Sequence, residues 1–108
     1  MIEATIFRKP DGSYKGFQVL GHADSVSEGA DLVCCAVSVL TITLVNSLEK
    51  LTDEVYEETT EESMGLSQVI FRDQPGEKAV LLMDAFLLGM TQMESVYGDW
   101  LKVITREV

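Results

Sequence analysis

From Met1 to Arg8 the chain alternates, with Ile2, Ala4 and Ile6 on one side and Glu3, Thr5 and Phe7 on the other. That period of two predicts a β-strand. Pro10-Asp11-Gly12-Ser13 carries turn chemistry, and alternation resumes over Tyr14–Leu20 through Phe17 and Val19, so the first twenty residues predict a β-hairpin. Gly21–Ala30 (GHADSVSEGA) is a loop of small residues that holds the only histidine. Beyond it Val33, Val37, Leu40, Leu44, Leu48 and Leu51 recur every three or four positions. This is the apolar stripe of a long helix, with Asp31 or Ser27 as its N-cap.

Glu54–Thr60 and Ser67–Arg72 predict two further strands around a turn at Ser63-Met64-Gly65, and the acidity of the first predicts an edge position. Asp73-Gln74-Pro75-Gly76 opens a second helix from Glu77 to Tyr97, with Ala79, Leu82, Met83, Phe86, Met90, Met93 and Tyr97 as its core stripe. Trp100–Arg106 predicts a last strand. The order ββαββαβ implies an α+β fold, a two-layer sandwich of one mostly antiparallel sheet with both helices packed on it. A chain of 108 residues is expected to form a single domain over 1–108.

Charge narrows the partners. Eighteen acidic against eight basic residues give a net charge of −10. Such a surface repels phosphate backbones and anionic lipid, which argues against nucleic acid and membrane binding and favours a basic peptide or protein. The start, MIEATIFRKP, has neither a basic leader nor a long apolar run. The run Leu32–Val45 is interrupted by Ser38, Thr41 and Thr43 and is shorter than the roughly 20 residues a bilayer span takes. A cytoplasmic protein is the expectation. Cys34 and Cys35 are adjacent, so on a helix they point about 100° apart and cannot easily bridge each other; both thiols are expected to be reduced.

Two residues carry candidate chemistry. His22 follows the hairpin directly, and Cys34 lies twelve positions later, near the first turn of the long helix. The open amides and dipole of a helix N-terminus favour a thiolate, and a neighbouring imidazole can take the proton. Such a pair is what nucleophilic catalysis by cysteine requires, and the same amides can receive an oxyanion. The bland alternative is a small buried hydrophobe, a description that fits Cys35 beside Ala36 and Val37. One histidine and two adjacent cysteines are too few ligands for a structural zinc site, and neither GxGxxG nor a P-loop occurs, so no metal and no cofactor are expected.

The stretch Gly21-His22-Ala23, then Gly29-Ala30-Asp31-Leu32-Val33-Cys34-Cys35-Ala36-Val37-Ser38, resembles the signature of the ribosomal-processing cysteine proteases, the Prp family. The twelve-residue spacing, the length, the acidity and the element order all agree. The resemblance implies that His22 is the general base and Cys34 the nucleophile. It places Asp31 and Ser38 at accessory positions, Asp31 as helix cap or as a partner of His22, Ser38 one turn beyond Cys34 on the same face. It implies a homodimer and a peptide substrate: the precursor of a large-subunit ribosomal protein, the twenty-seventh, which loses a short N-terminal extension. It also implies that the loop Gly21–Ala30 opens for the peptide and closes over it. Cys35 departs from the family's usual alanine.

Two other readings stand beside this one. The chain could be a non-catalytic, ribosome-associated dimer that binds the same basic client, or a thiol redox sensor using Cys34 or Cys35. Removing the Cys34 thiol separates them, since only the protease loses cleavage.

Overall fold

The computed structural model describes residues 1–22 and 30–108, with only the backbone of Ala30 and Asp31. The elements are β1 (Ile2–Arg8), β2 (Tyr14–Leu20), α1 (Ala30–Leu51), β3 (Tyr56–Glu61), a single 3₁₀ turn (Glu62–Met64), β4 (Leu66–Phe71), α2 (Glu77–Tyr97) and β5 (Leu101–Glu107). They form one five-stranded sheet in the order β3-β4-β2-β1-β5. Every pairing is antiparallel except β1 with β5, which run parallel. The chain reaches β5 through α2, the crossover that a parallel neighbour requires. The fold class read from the pattern is thus correct, and the acidic strand is an edge.

One face of the sheet meets the helices. Ile2, Ala4 and Ile6 of β1, Phe17 and Val19 of β2, and Val69 and Phe71 of β4 are buried in a common cluster with both helices. From α1 come Val33, Val37, Leu44 and Leu48, and from α2 Ala79, Met83, Phe86 and Met90. The expected stripe on α1 ends early. Leu51 is 61% exposed, while Thr41 is 6% exposed and takes a core position. Its hydroxyl donates to the Val37 carbonyl at 2.7 Å, which removes the penalty of burying it. Gly89 lets the helices approach closely; a Cβ there would lie 3.3 Å from Leu40.

Three devices set the register. A bulge between Phe7 and Arg8 pairs Phe7 with Gly16 but Arg8 with Tyr14, which skips Lys15 and turns the Tyr14 ring to the core side. The Tyr14 hydroxyl donates to Asp84, tying β2 to α2, and the Arg8 guanidinium lies 4.3 Å from the Tyr14 ring centre. Gly16 is pressed against β4, where a Cβ would stand 2.0 Å from the Val69 carbonyl oxygen. At the same end of the strands the Glu54 carboxylate accepts from the Gly76 amide at 2.8 Å, placing negative charge at the start of α2.

Three expectations need correction. Asp31 is a residue of α1 itself and not its cap; the alternative cap, Ser27, lies outside the described residues. Cys34, expected near the first turn, is the fifth residue of α1, just past that turn. The strand limits shift by up to two residues, with β3 starting at Tyr56 instead of Glu54. The apolar run at Leu32 also continues to Leu51, which makes 20 residues of mean hydropathy 1.8, and α2 from Glu77 to Tyr97 makes 21 of 1.3. Both helices are therefore long and apolar enough to cross a bilayer, contrary to the shorter run read from the sequence. Here each lays one apolar side on the sheet.

Candidate active site

α1 does not cover the β3 edge of the sheet, and the uncovered strip forms a groove of about 580 Å³. Val19 and Ser67 of the central strands contribute to its floor, one wall is the α1 row Cys34, Ser38 and Ile42, and Glu58 and Thr60 of β3 stand opposite. His22 and Cys34 both line this groove, with Gly21 and Gly65 beside them. The structure therefore brings together three of the four residues singled out from sequence: His22, Cys34 and Ser38. The side chain of Asp31 and the rest of the loop from Ala23 to Gly29 lie outside the described residues.

Each residue is positioned by identifiable contacts. Cys34 is half-buried and Cys35 exposed, the divergence expected of neighbours on a helix. In a helix the Cα–Cβ bond tilts toward the N-terminus, so a second-turn cysteine leans back over the first turn. That tilt recovers part of the electrostatic benefit lost by the deeper position, because the unpaired amides lie in the first turn. His22 stands just past the end of β2. Its carbonyl accepts from the Met1 amino group at 3.0 Å, and the preceding amide, of Gly21, donates to the Met64 carbonyl at 3.1 Å. Gly21 has φ +102 and lies against Met1, where a Cβ would meet the Met1 carbonyl at 2.5 Å.

Gly65 belongs to this assembly, and sequence reasoning saw it only as part of a turn. Its φ is +62, the left-handed region, and it ends the 3₁₀ turn. A Cβ at Gly65 would stand 2.5 Å from the Gly21 carbonyl oxygen and 2.9 Å from Cε1 of His22. The glycine is thus packed against the imidazole from the side of the β3–β4 connection. Glu58, Thr60 and Glu62 were likewise read only as parts of an acidic edge. β3 reads Tyr-Glu-Glu-Thr-Thr-Glu with no apolar–polar alternation, so which of its faces would meet a groove was not legible.

The likeness to known proteins covers nearly the whole chain. The family model of cysteine protease Prp matches residues 1–102. The ribosomal processing cysteine protease Prp of Bacillus subtilis (strain 168) is 30% identical over 109 residues, covering 97% of each chain. A crystal structure from Streptococcus mutans superposes with a TM-score of 0.85 at 33% identity, over 100% of this chain and 99% of that one. The essential ribosomal processing protease Prp from S. aureus, in complex with a substrate peptide, shares the fold at a TM-score of 0.90 and 23% identity, over 98% of this chain and 100% of that one. The class this defines is a cysteine peptidase built on a two-layer α+β sandwich. The chain belongs to the cysteine protease Prp family.

Proposed function

We propose that this protein is the endopeptidase that removes the N-terminal extension of a large-subunit ribosomal protein, the twenty-seventh, with Cys34 as nucleophile and His22 as general base. The observation that carries the reading is that these two side chains line one groove. In the first step His22 takes the thiol proton while Cys34 Sγ attacks the scissile carbonyl carbon. The tetrahedral oxyanion collapses as the imidazolium gives its proton to the leaving amine, and the C–N bond breaks to leave a thioester. Water, deprotonated by His22, then attacks the thioester, and Cys34 departs as thiolate to be reprotonated. Ser38, one turn past Cys34 on the groove wall, supplies a hydroxyl to the bound peptide. Asp31 remains an accessory residue by resemblance.

The B. subtilis relative is a ribosomal processing protease, and the net charge of −10 suits a basic ribosomal client. The same reading includes a cytoplasmic location, where ribosomes mature, and a homodimer. Leu81, Leu88 and Val96, spaced along the outer side of α2 and each at least 60% exposed, are apolar surface available to a second copy.

The test is to mix the pure protein with the precursor ribosomal protein and weigh the products. The expected result is a shortened product, absent with Cys34→Ala and with His22→Ala. A precursor left whole by the wild-type protein refutes the assignment of substrate, and cleavage by Cys34→Ala refutes the assignment of nucleophile.

A further inference from the structure

The groove runs well past the thiol. Its α1 wall continues from Cys34 through Ser38 and Ile42 to Asn46, twelve residues further on. At about 1.5 Å per helical residue this is a run of about 18 Å, room for roughly five extended residues at about 3.3 Å each. The facing wall is β3, whose register decides what the groove contains. Glu58 pairs with Val69, and Val69 pairs with Phe17. Paired residues of neighbouring strands share a face, and Val69 and Phe17 are both fully buried under the helices. Glu58 therefore projects on the helix side of the sheet, the face that elsewhere carries the core. Glu57 and Glu61 alternate to the opposite face.

Because α1 leaves this strip uncovered, Glu58 is exposed, and its carboxylate faces the groove and not the outer side of the sheet. Edge protection would be served equally well by Glu57 and Glu61 on the other face. Among the described residues no cation pairs with Glu58. Among the described residues the ion pairs are Lys50 with Glu49 and Arg72 with Asp73, and neither Glu58 nor Glu62 has a side-chain partner. The Glu58 charge is felt on its own face, where it and Glu49 help to hold the Tyr56 hydroxyl above its usual range, after burial as the main cause. Its distance from the reacting end follows from the ladder. Glu61 pairs with Leu66, next to Gly65 and hence to His22, and Glu58 pairs with Val69 three positions along. Three strand residues span about 10 Å.

We propose that Glu58 is a specificity residue, receiving a lysine or arginine side chain of the bound peptide about three residues from the bond that is cut. Glu62, closer to that bond, adds to the same field. The proposal deepens the reading of this groove as the place of peptide cleavage and rests on it.

The test measures binding apart from turnover. Fluorescent ten-residue peptides spanning the processing junction of the precursor carry one lysine, glutamine or glutamate, walked through the second to fifth positions on each side. Anisotropy titrations use the full-length Cys34→Ala protein. At one position, lysine is expected to bind about three- to fivefold tighter than glutamine, the range open to an exposed ion pair, and the advantage should shrink in about 0.5 M salt. Adding Glu58→Gln should bring that ratio to about one, and Glu58→Lys should make glutamate the preferred residue. Adding Glu57→Gln, on the other face, should leave the ratio intact. A lysine advantage at no position, one that survives Glu58→Gln, or no peptide binding at all overturns the proposal. Failure of the cleavage reading shows separately, as a precursor that the wild-type protein leaves whole.

Discussion

Replacing Gly65 with alanine tests whether the histidine is held from the side of the β3–β4 connection. Two effects combine at this position. Left-handed φ costs an alanine about 1–2 kcal/mol, and Gly65 has φ +62. The new Cβ also starts 2.5 Å from the Gly21 carbonyl oxygen and 2.9 Å from Cε1 of His22, where ordinary contact begins at 3.4 Å. Relief of both contacts requires Gly21 to retreat by about 0.9 Å and the ring by about 0.5 Å. A misplacement of about 1 Å in a reacting group can cost roughly a hundredfold in rate. Gly12→Ala is the control: Gly12 has φ +88 but nothing within 4 Å of its would-be Cβ. Both variants should lower the melting temperature, by roughly 4–8 °C per kcal/mol in a chain of this size. Only Gly65→Ala should lose turnover, by about tenfold to a hundredfold in kcat on a fluorogenic peptide. If Gly65→Ala melts like Gly12→Ala yet turns over within twofold of wild type, Gly65 does not position the imidazole.

Three further outcomes are expected. Burial foremost, then the hydrogen bond to Asp84, raises Tyr14 above its usual 10.0. The unfolded chain therefore loses the phenol proton first, so this stability is complete below about pH 10 and is lost as pH rises through the folded value; denaturant titrations of Tyr14→Phe should fall less steeply across that window, and an unchanged slope would contradict the assignment. Gly16→Ala places a Cβ 2.0 Å from the Val69 carbonyl oxygen, in the middle of the sheet, so the β2–β4 ladder must part and circular dichroism should report loss of the fold; a cooperative melt near the wild-type temperature would show that the strands can separate without penalty. Cys35→Ala, at an exposed site facing away from the groove wall, should retain most cleavage activity, and loss of turnover in it but not in Cys34→Ala would move the nucleophile by one residue.

The local elements were legible because each rests on a short-range pattern. Alternation over Ile2–Arg8 and Tyr14–Leu20, and the three-to-four spacing through α1 and α2, depend only on which face of a strand or helix must leave water. The family resemblance came from residues close together in the chain, His22 and Cys34 with their neighbours. Capping was less legible: Asp31 has the chemistry of an N-cap yet lies within α1, since cap preferences are weaker than the packing that sets where a helix starts. The carboxylate at the start of α2 comes from Glu54, 22 residues upstream, and no local signal announces it.

What the sequence determined by itself was therefore the set of elements, their order, and the candidate pair His22 and Cys34, which the fold places on one groove. Only the tertiary structure decided that α1 leaves the β3 edge uncovered, that Gly65 packs against an imidazole 43 positions away, and that Glu58 shares a face with Val69 and Phe17. The physical reason is range. Side-chain periodicity is imposed by backbone geometry over a few residues, whereas strand order and ladder register minimise exposed apolar area and unpaired amides over the whole sheet at once.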